Sequence, residues 1–321
     1  MSESDQRSHA GDGHRDLDVV VIGEMNVDIV VTGVQVPLDF GAERLVDDVT
    51  LTAGSSGVLT TTGLADLGLR VGFCGLIGDD PFGHYMIEHC ERHGIDHTGV
   101  IVDPNERTGA TVSLSTHIDR AMLTHPGSMA HLTYDHIRFD VLARARHLHL
   151  SSHFLNAGLQ PDVPRLLARA QAMGLTTSAD TGHDPADRWE IGDLLAGLEV
   201  FLPNEVEALA ITRTTTPREA LEALARRVPT VVVKCGANGA LAARGAERVA
   251  LPGHRVTVVD TTGAGDAFDA GFLSGWLAGA DLETCVRRGN ACGALTAAHV
   301  GGSGALSVAQ LSAMLADHLP A

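Results

Sequence analysis

The chain is poor in rings: Phe, Trp and Tyr together make up 4% of its 321 residues. Its core must therefore be built from Leu, Val, Ile and Ala, and a pocket that grips a flat heterocycle by stacking has few rings to draw on. Base is also scarce, with 23 Lys and Arg against 40 Asp and Glu and a formal net charge of −17. That balance argues against a nucleic-acid partner, whose phosphate backbone calls for a basic footprint. A small phosphate ligand stays open, because backbone amides can hold one. No apolar run approaches the ~20 residues of a membrane span. Met1 to Arg15 lacks the apolar centre of a signal peptide, and residues 1–16 read as a disordered tail. The cysteines, Cys74, Cys90, Cys235, Cys285 and Cys292, are odd in number and scattered, which points to reduced thiols in the cytoplasm and away from a disulfide framework.

Apolar residues account for 44% of the chain, enough for a large core. Leu17–Gly23 and Arg70–Ile77 read as buried strands. From His147 onward a regular rhythm sets in. Strands fit at His147–Leu150, Thr176–Ala179, Val200–Leu202, Thr230–Lys234 and Val256–Val259, with helical stretches between them. Alternating strands and helices predict a mostly parallel sheet covered on both faces, a three-layer α/β/α architecture. Strand-like segments within about 24–51 and 107–125 break the alternation and are expected to form a small sheet attached as a lid. Residues 17–321 are thus expected to form one domain. In such a sheet ligands bind beyond the carboxyl ends of the strands.

One stretch carries chemistry by itself. Asp260-Thr261-Thr262-Gly263-Ala264-Gly265-Asp266-Ala267-Phe268 joins a β-branched run to an apolar helix through two glycines. The unpaired N–H groups and dipole of a helix start make an anion site. A carboxylate there repels a phosphate, so Asp266 makes sense as a base that takes a proton from a hydroxyl attacking that phosphate. The plain alternative is a helix-capping acid.

Together with this stretch, Asn204-Glu205-Val206-Glu207, Gly78-Asp79-Asp80-Pro81-Phe82-Gly83, Gly23-Glu24 with Asp28, Thr108-Gly109, Lys234-Cys235-Gly236 and Asn290-Ala291 give the chain, from about Asp18 to Leu311, the look of the ribokinase-like (PfkB) sugar kinases. The resemblance implies that Asp266 is the catalytic base and that Gly263, Ala264 and Gly265 form the anion hole. It implies ATP and Mg²⁺ as cofactors, with Asn204 and Glu207 serving the metal through water. Their spacing fits a helix-capping box equally well. Lys234, Gly236 and Asn290 would line the nucleotide site, and Asp260 and Thr262 would hold a K⁺-type monovalent cation. Asp28 would grip sugar hydroxyls. A homodimer through the lid strands is also implied.

The pattern departs from the family at Ala53-Gly54-Ser55-Ser56-Gly57-Val58-Leu59-Thr60, where the second glycine becomes Ser55 and the sugar-contacting Asn becomes Leu59. That leaves the substrate open. The absence of Lys from this loop leans the reading toward an unphosphorylated acceptor, with Gly54, Ser55 and His153 as further lining. The pairs His147/His149 and His89/His93 lack a clear third metal ligand. The expected activity is ATP-dependent phosphorylation of a hydroxyl, primary by preference, on a sugar or sugar-like molecule. A nucleoside kinase of the same fold and an inactive sugar-binding regulator are the competing readings. Scarce rings argue against the first, and Asp266 with Asn204 and Glu207 against the second.

Overall fold

The computed structural model describes residues 15–38, 40–116, 120–299 and 306–316; most of the expected tail lies outside them. Its last two residues are anchored. Arg15 donates to the carbonyls of Met173 and Gly174, and Asp16 pairs with Arg144.

In chain order the strands are β1 (Val19–Ile22), β2 (Asn26–Thr32), β3 (Asp48–Ala53), β4 (Val71–Gly78), β5 (Asp96–Asp103), β6 (Gly109–Ser115), β7 (Arg120–His125), β8 (His147–Leu150), β9 (Thr176–Ala179), β10 (Val200–Phe201), β11 (Thr230–Lys234), β12 (Ala240–Arg244) and β13 (Glu247–Leu251). The helices are α1 (Ser56–Asp66), α2 (Pro81–Arg92), α3 (Phe139–Leu142), α4 (Val163–Ala172), α5 (Glu205–Thr212), α6 (Pro217–Leu224), α7 (Ala264–Leu277), α8 (Leu282–Ala297) and α9 (Val308–Ala316). The large sheet has the order β13-β12-β11-β10-β9-β8-β1-β4-β5. It is parallel from β5 to β11 and antiparallel only in the β11-β12-β13 edge.

Alternation along β1 shows the three layers. Val19 and Val21 join a buried cluster with residues of α1, α7 and α8, whereas Val20 and Ile22 join one with residues of α3, α4 and α6. Successive side chains of a strand face opposite ways, so a run of four buried valines and isoleucines serves both faces.

The small sheet has the order β3-β2-β6-β7, with β2 and β6 parallel and both outer pairs antiparallel. Its register sorts the residues by chemistry. Asp28 pairs with Thr52 and Thr111, and Thr111 with Thr124. Steps of two add Thr50, Ser113, Ser115 and Arg120 to this mainly polar face, which also carries Val30 and Met122, and the opposite face collects Ile29, Val31, Val49, Leu51, Val112, Leu114 and Leu123. The sheet is tied to the core at Asp80. Its carboxylate caps α2 at the Gly83 N–H and also accepts from the Thr108 N–H (2.9 Å each). The turn from Gly78 to Gly83 is therefore a structural joint between α2 and the entry to β6.

One expectation needs correction, and strands at two places were not foreseen. Val256–Val259 forms no strand; the Val259 N–H pairs with the Ala297 carbonyl at the end of α8 (2.8 Å), and Val258 and Val259 are exposed. A β-branched run becomes a strand only where a neighbouring edge accepts it, and here β13 already ends the sheet. The Ala-rich β12, with β13, pairs as a hairpin onto β11 although its composition favours helix. Edge strand β5, equally unforeseen, extends the sheet beyond β4. All five cysteines are free, and four of them are buried. Among the described residues no helix is long and apolar enough to cross a membrane.

Candidate active site

Because β1, β8, β9, β10 and β11 run parallel, the residues that follow them gather at one end of the sheet. These are Glu24, Ser151 to His153, Asp180, Asn204 and, at the tip of β11 itself, Lys234. α7 begins in the same place. Its N-cap, Gly263, sits in the left-handed region (φ 71°), where a side chain would be strained. The Ala264 N–H closes a turn onto the Thr261 carbonyl at 3.2 Å, a long bond for which an anion would compete.

Asp266 lies in the first turn of α7 and is half-buried. Burial pushes its carboxyl up to about 6, and the nearby Asp180 carboxylate adds to this; the Lys234 ammonium and a hydrogen bond from Ser56 oppose it. A carboxylate that titrates near 6 is ionised at neutral pH and still basic enough to take a proton.

Beneath this turn is a feature the sequence reading did not foresee. Lys234 is the only lysine of the chain. It was expected to line a nucleotide pocket, but its ammonium points inward, to Asp180 (2.6 Å) and both carboxyl oxygens of Asp269 (3.1 and 3.0 Å). All three side chains are buried. A Cβ placed on Gly265 would lie 3.8 Å from the Lys234 Nζ, so the charge sits directly under the start of α7. Burial alone would strip the lysine of its proton, but the two carboxylates hold it charged. Burial raises the Asp269 carboxyl well above its usual range, whereas the lysine outweighs burial at Asp180 and holds it low. The available signal was an acid inside an otherwise apolar helix, three residues after Asp266, and a lone lysine closing a strand of valines.

Asn204 and Glu207 form a complete capping box on α5. The Asn204 side chain accepts from the Glu207 N–H (3.0 Å), and Glu207 accepts from the Asn204 N–H (2.9 Å) and amide (2.6 Å). Thr181 adds a third hydrogen bond. Burial, helped by the Asp180 charge, pushes Glu207 up to about 8. A carboxylate offers about four lone-pair sites, so one is left that could accept from a water, such as one carried by Mg²⁺. That fits a metal held chiefly by phosphates and waters. No group of three or more His, Cys, Asp or Glu able to hold a metal exists among the described residues.

The acceptor end is built around α1. Ser55 caps it through the Val58 N–H, and Glu24 accepts from the Ser56 N–H at 3.0 Å. Glu24 is fully buried, and one of its oxygens meets no hydrogen-bond partner; burial pushes it up to about 7. The hydroxyls of Ser151 and Ser152 and the Nδ1 of buried His153 are likewise without partners. Leu59 falls within α1, and its side chain is buried. Asp28 accepts from the Asn26 amide (3.2 Å) and rests against Gly54, where a Cβ would come within 2.2 Å of it. Burial pushes Asp28 up to about 6.

At the Asp260 turn, one carboxylate oxygen accepts from the Thr262 N–H (2.9 Å) and hydroxyl (2.7 Å). Arg120 of the lid also reaches this turn, with its guanidinium on the Thr262 hydroxyl and 3.5 Å from Asp260. Asn290 ties α8 to the carbonyls of Leu251 and Pro252, and Gly236 lies in the exposed turn after β11. The histidine pairs bond within the protein, although the buried Nε2 of His149 meets no hydrogen-bond partner. His147 bonds Thr176 and Ser178, and His149 bonds Ser178. His89 bonds Thr62 and His93 bonds Asp66.

Residues 16–308 match the family described as pfkB family carbohydrate kinase. An ATP-dependent ribose-1-phosphate kinase of Halopiger xanaduensis is 30% identical over 301 residues, covering 93% of this chain and 98% of that protein. An uncharacterized sugar kinase of Archaeoglobus fulgidus is 33% identical over 232 residues, covering 71% of this chain and 91% of that one. Among solved structures, a PfkB protein from Polaromonas aligns with a TM-score of 0.81 at 28% identity, covering 92% of this chain and 99% of its own. A putative ribokinase II from E. coli shares the fold with a TM-score of 0.84 at 24% identity, covering 94% and 100%. The chain belongs to the pfkB family of carbohydrate kinases.

Proposed function

We propose that the protein transfers the γ-phosphoryl group of ATP to a hydroxyl, primary by preference, of a sugar or sugar-like molecule. The observation that carries this reading is Asp266, a half-buried carboxyl that titrates near 6 at the positively polarised start of α7. It takes the proton from the acceptor hydroxyl as that oxygen attacks phosphorus. The amides of Gly263 to Gly265 stabilise charge on the phosphoryl group in flight. Mg²⁺, held by phosphates and water with Glu207 behind the water, supplies neutralising charge to the phosphates when bound. The unpartnered polar groups of Glu24, Ser151, Ser152 and His153, together with Asp28 and the Thr- and Ser-lined face of the lid, suit a ligand rich in hydroxyls. Lid closure excludes water and so limits ATP hydrolysis.

A second reading, an anionic acceptor, draws on Arg120 on that same polar face and on the Halopiger relative named for ribose 1-phosphate. The deciding experiment is an ATP-consumption screen over free sugars, sugar acids, phosphosugars and nucleosides, repeated with Asp266→Asn. The variant should bind ATP as wild type does and lose about 10²–10⁴-fold in turnover. Near-native turnover in the variant would remove Asp266 from the role of base.

A further inference from the structure

The Asp260 turn is where the family resemblance calls for a monovalent cation, and the side chains there are already engaged. A single Asp260 oxygen takes two donors from Thr262 and faces Arg120 at 3.5 Å, while the Thr262 hydroxyl meets the same guanidinium. A metal ion at this position would have to displace a fixed charge of its own sign. It would also compete for the Thr262 hydroxyl and for the Asp260 oxygen, which already bond one another and face Arg120. The expected cation therefore does not fit these residues as they stand.

Arg120 is the first residue of β7, on the polar face of the lid, whereas Asp260 and Thr262 precede the anion-hole glycines. The same guanidinium acts on Asp28, whose carboxylate form it favours. One side chain thus joins the lid, the expected sugar-gripping acid and the turn that leads into α7. The chain's one lysine does not serve this turn, since it is enclosed by Asp180 and Asp269.

We propose that Arg120 is a built-in cation: its guanidinium serves the Asp260–Thr262 turn in place of a monovalent metal ion, and it is delivered by the lid. The idea rests on the kinase reading and adds a regulatory link. The anion hole is electrostatically complete only with the lid down, so the phosphoryl group is activated only over an enclosed acceptor. Arg120 is a positioning residue, acting on the transfer through the turn it braces.

The test compares wild type, Arg120→Ala and Arg120→Lys in KCl and in tetramethylammonium chloride at equal ionic strength, using an acceptor found in the screen. Wild-type kcat should be the same in both salts. Arg120→Ala should lose about 10²-fold in kcat, the size of effect seen when one preorganised donor leaves an anion hole. Part of that loss should return with added K⁺ or ethylguanidinium, and Arg120→Lys should retain most of the activity. Activation of wild type by K⁺ would overturn the proposal. So would an Arg120→Ala defect confined to the KM of anionic acceptors and not rescued by either cation, which would make Arg120 a substrate-anion receptor. If wild type phosphorylates nothing in the screen, the kinase reading fails, and thermal unfolding still decides the cation. KCl should then raise the Tm of Arg120→Ala relative to tetramethylammonium chloride and leave wild type unmoved; equal shifts in both proteins would overturn it.

Discussion

Glu24 shows what the site does to a single carboxyl. It is fully buried beside α1, and it titrates at about 7 where an ordinary glutamate titrates at 4.5. The folded protein therefore binds the proton more tightly than the unfolded chain does. Stability tied to this group is fully present below the unfolded value and is lost as pH rises through the folded one. Glutamine has a similar shape and cannot ionise. Glu24→Gln should match wild type in chemical denaturation at about pH 4 and exceed it above about pH 8 by up to ~3 kcal/mol. A variant weaker than wild type at the higher pH would mean that the ionised carboxylate is stabilising where it sits. A buried acid kept at a net expense of stability is what a binding site for hydroxyls or protons requires, and what a core does not.

At the scale of elements, α5 poses a question that geometry alone leaves with two answers, since Glu207 serves the helix cap and faces the end of the sheet where phosphates would lie. Glutamine keeps the hydrogen bond from the Asn204 N–H, because a capping box accepts either residue, but it cannot ionise and cannot also accept from the Asn204 amide. Glu207→Gln should lower the Tm only modestly, through the lost bond from the Asn204 amide, and raise half-saturating Mg²⁺ by about 10-fold, as loss of an outer-shell partner does. A lower Tm with an unchanged Mg²⁺ titration would assign Glu207 to the cap alone. The same helix shows why parts of the site were legible in advance. The capping box and the glycine turn before α7 are local, written within a few neighbouring positions. Lys234 is 54 residues from Asp180 and 35 from Asp269, and only the closed sheet brings the three together. β12 gave no strand signal through its alanines, and Val256–Val259 misled through its branching, because sheet membership depends on which edges are free. The parallel alternation from β8 to β11 could be read from the regular spacing of strands and helices, even though β8 (His147-Leu148-His149-Leu150) and β9 (Thr176-Thr177-Ser178-Ala179) are not apolar runs.

For the molecule as a whole, the lid is amphipathic across its two faces. Its polar face carries Asp28 and Arg120, while the other exposes Val49 at 58% and Leu123 at 64%. A contiguous apolar face rarely stays in water, and a second copy of the chain offers the same face in return, as a two-fold contact requires. We therefore carry forward the homodimer through the lid strands. Leu123→Glu should shift sedimentation from dimer to monomer; an unchanged profile would place any self-association elsewhere.

The enclosure of Lys234 reaches beyond phosphoryl transfer. The molecule has one side-chain amine, and folding shuts it between two acids under a helix. Acetylation, or any other modification that needs a lysine, has no purchase on the folded surface. An amine-selective label would reach position 234 only when β11 and α7 part, so its uptake would work as a clock for the opening of the catalytic end of the sheet.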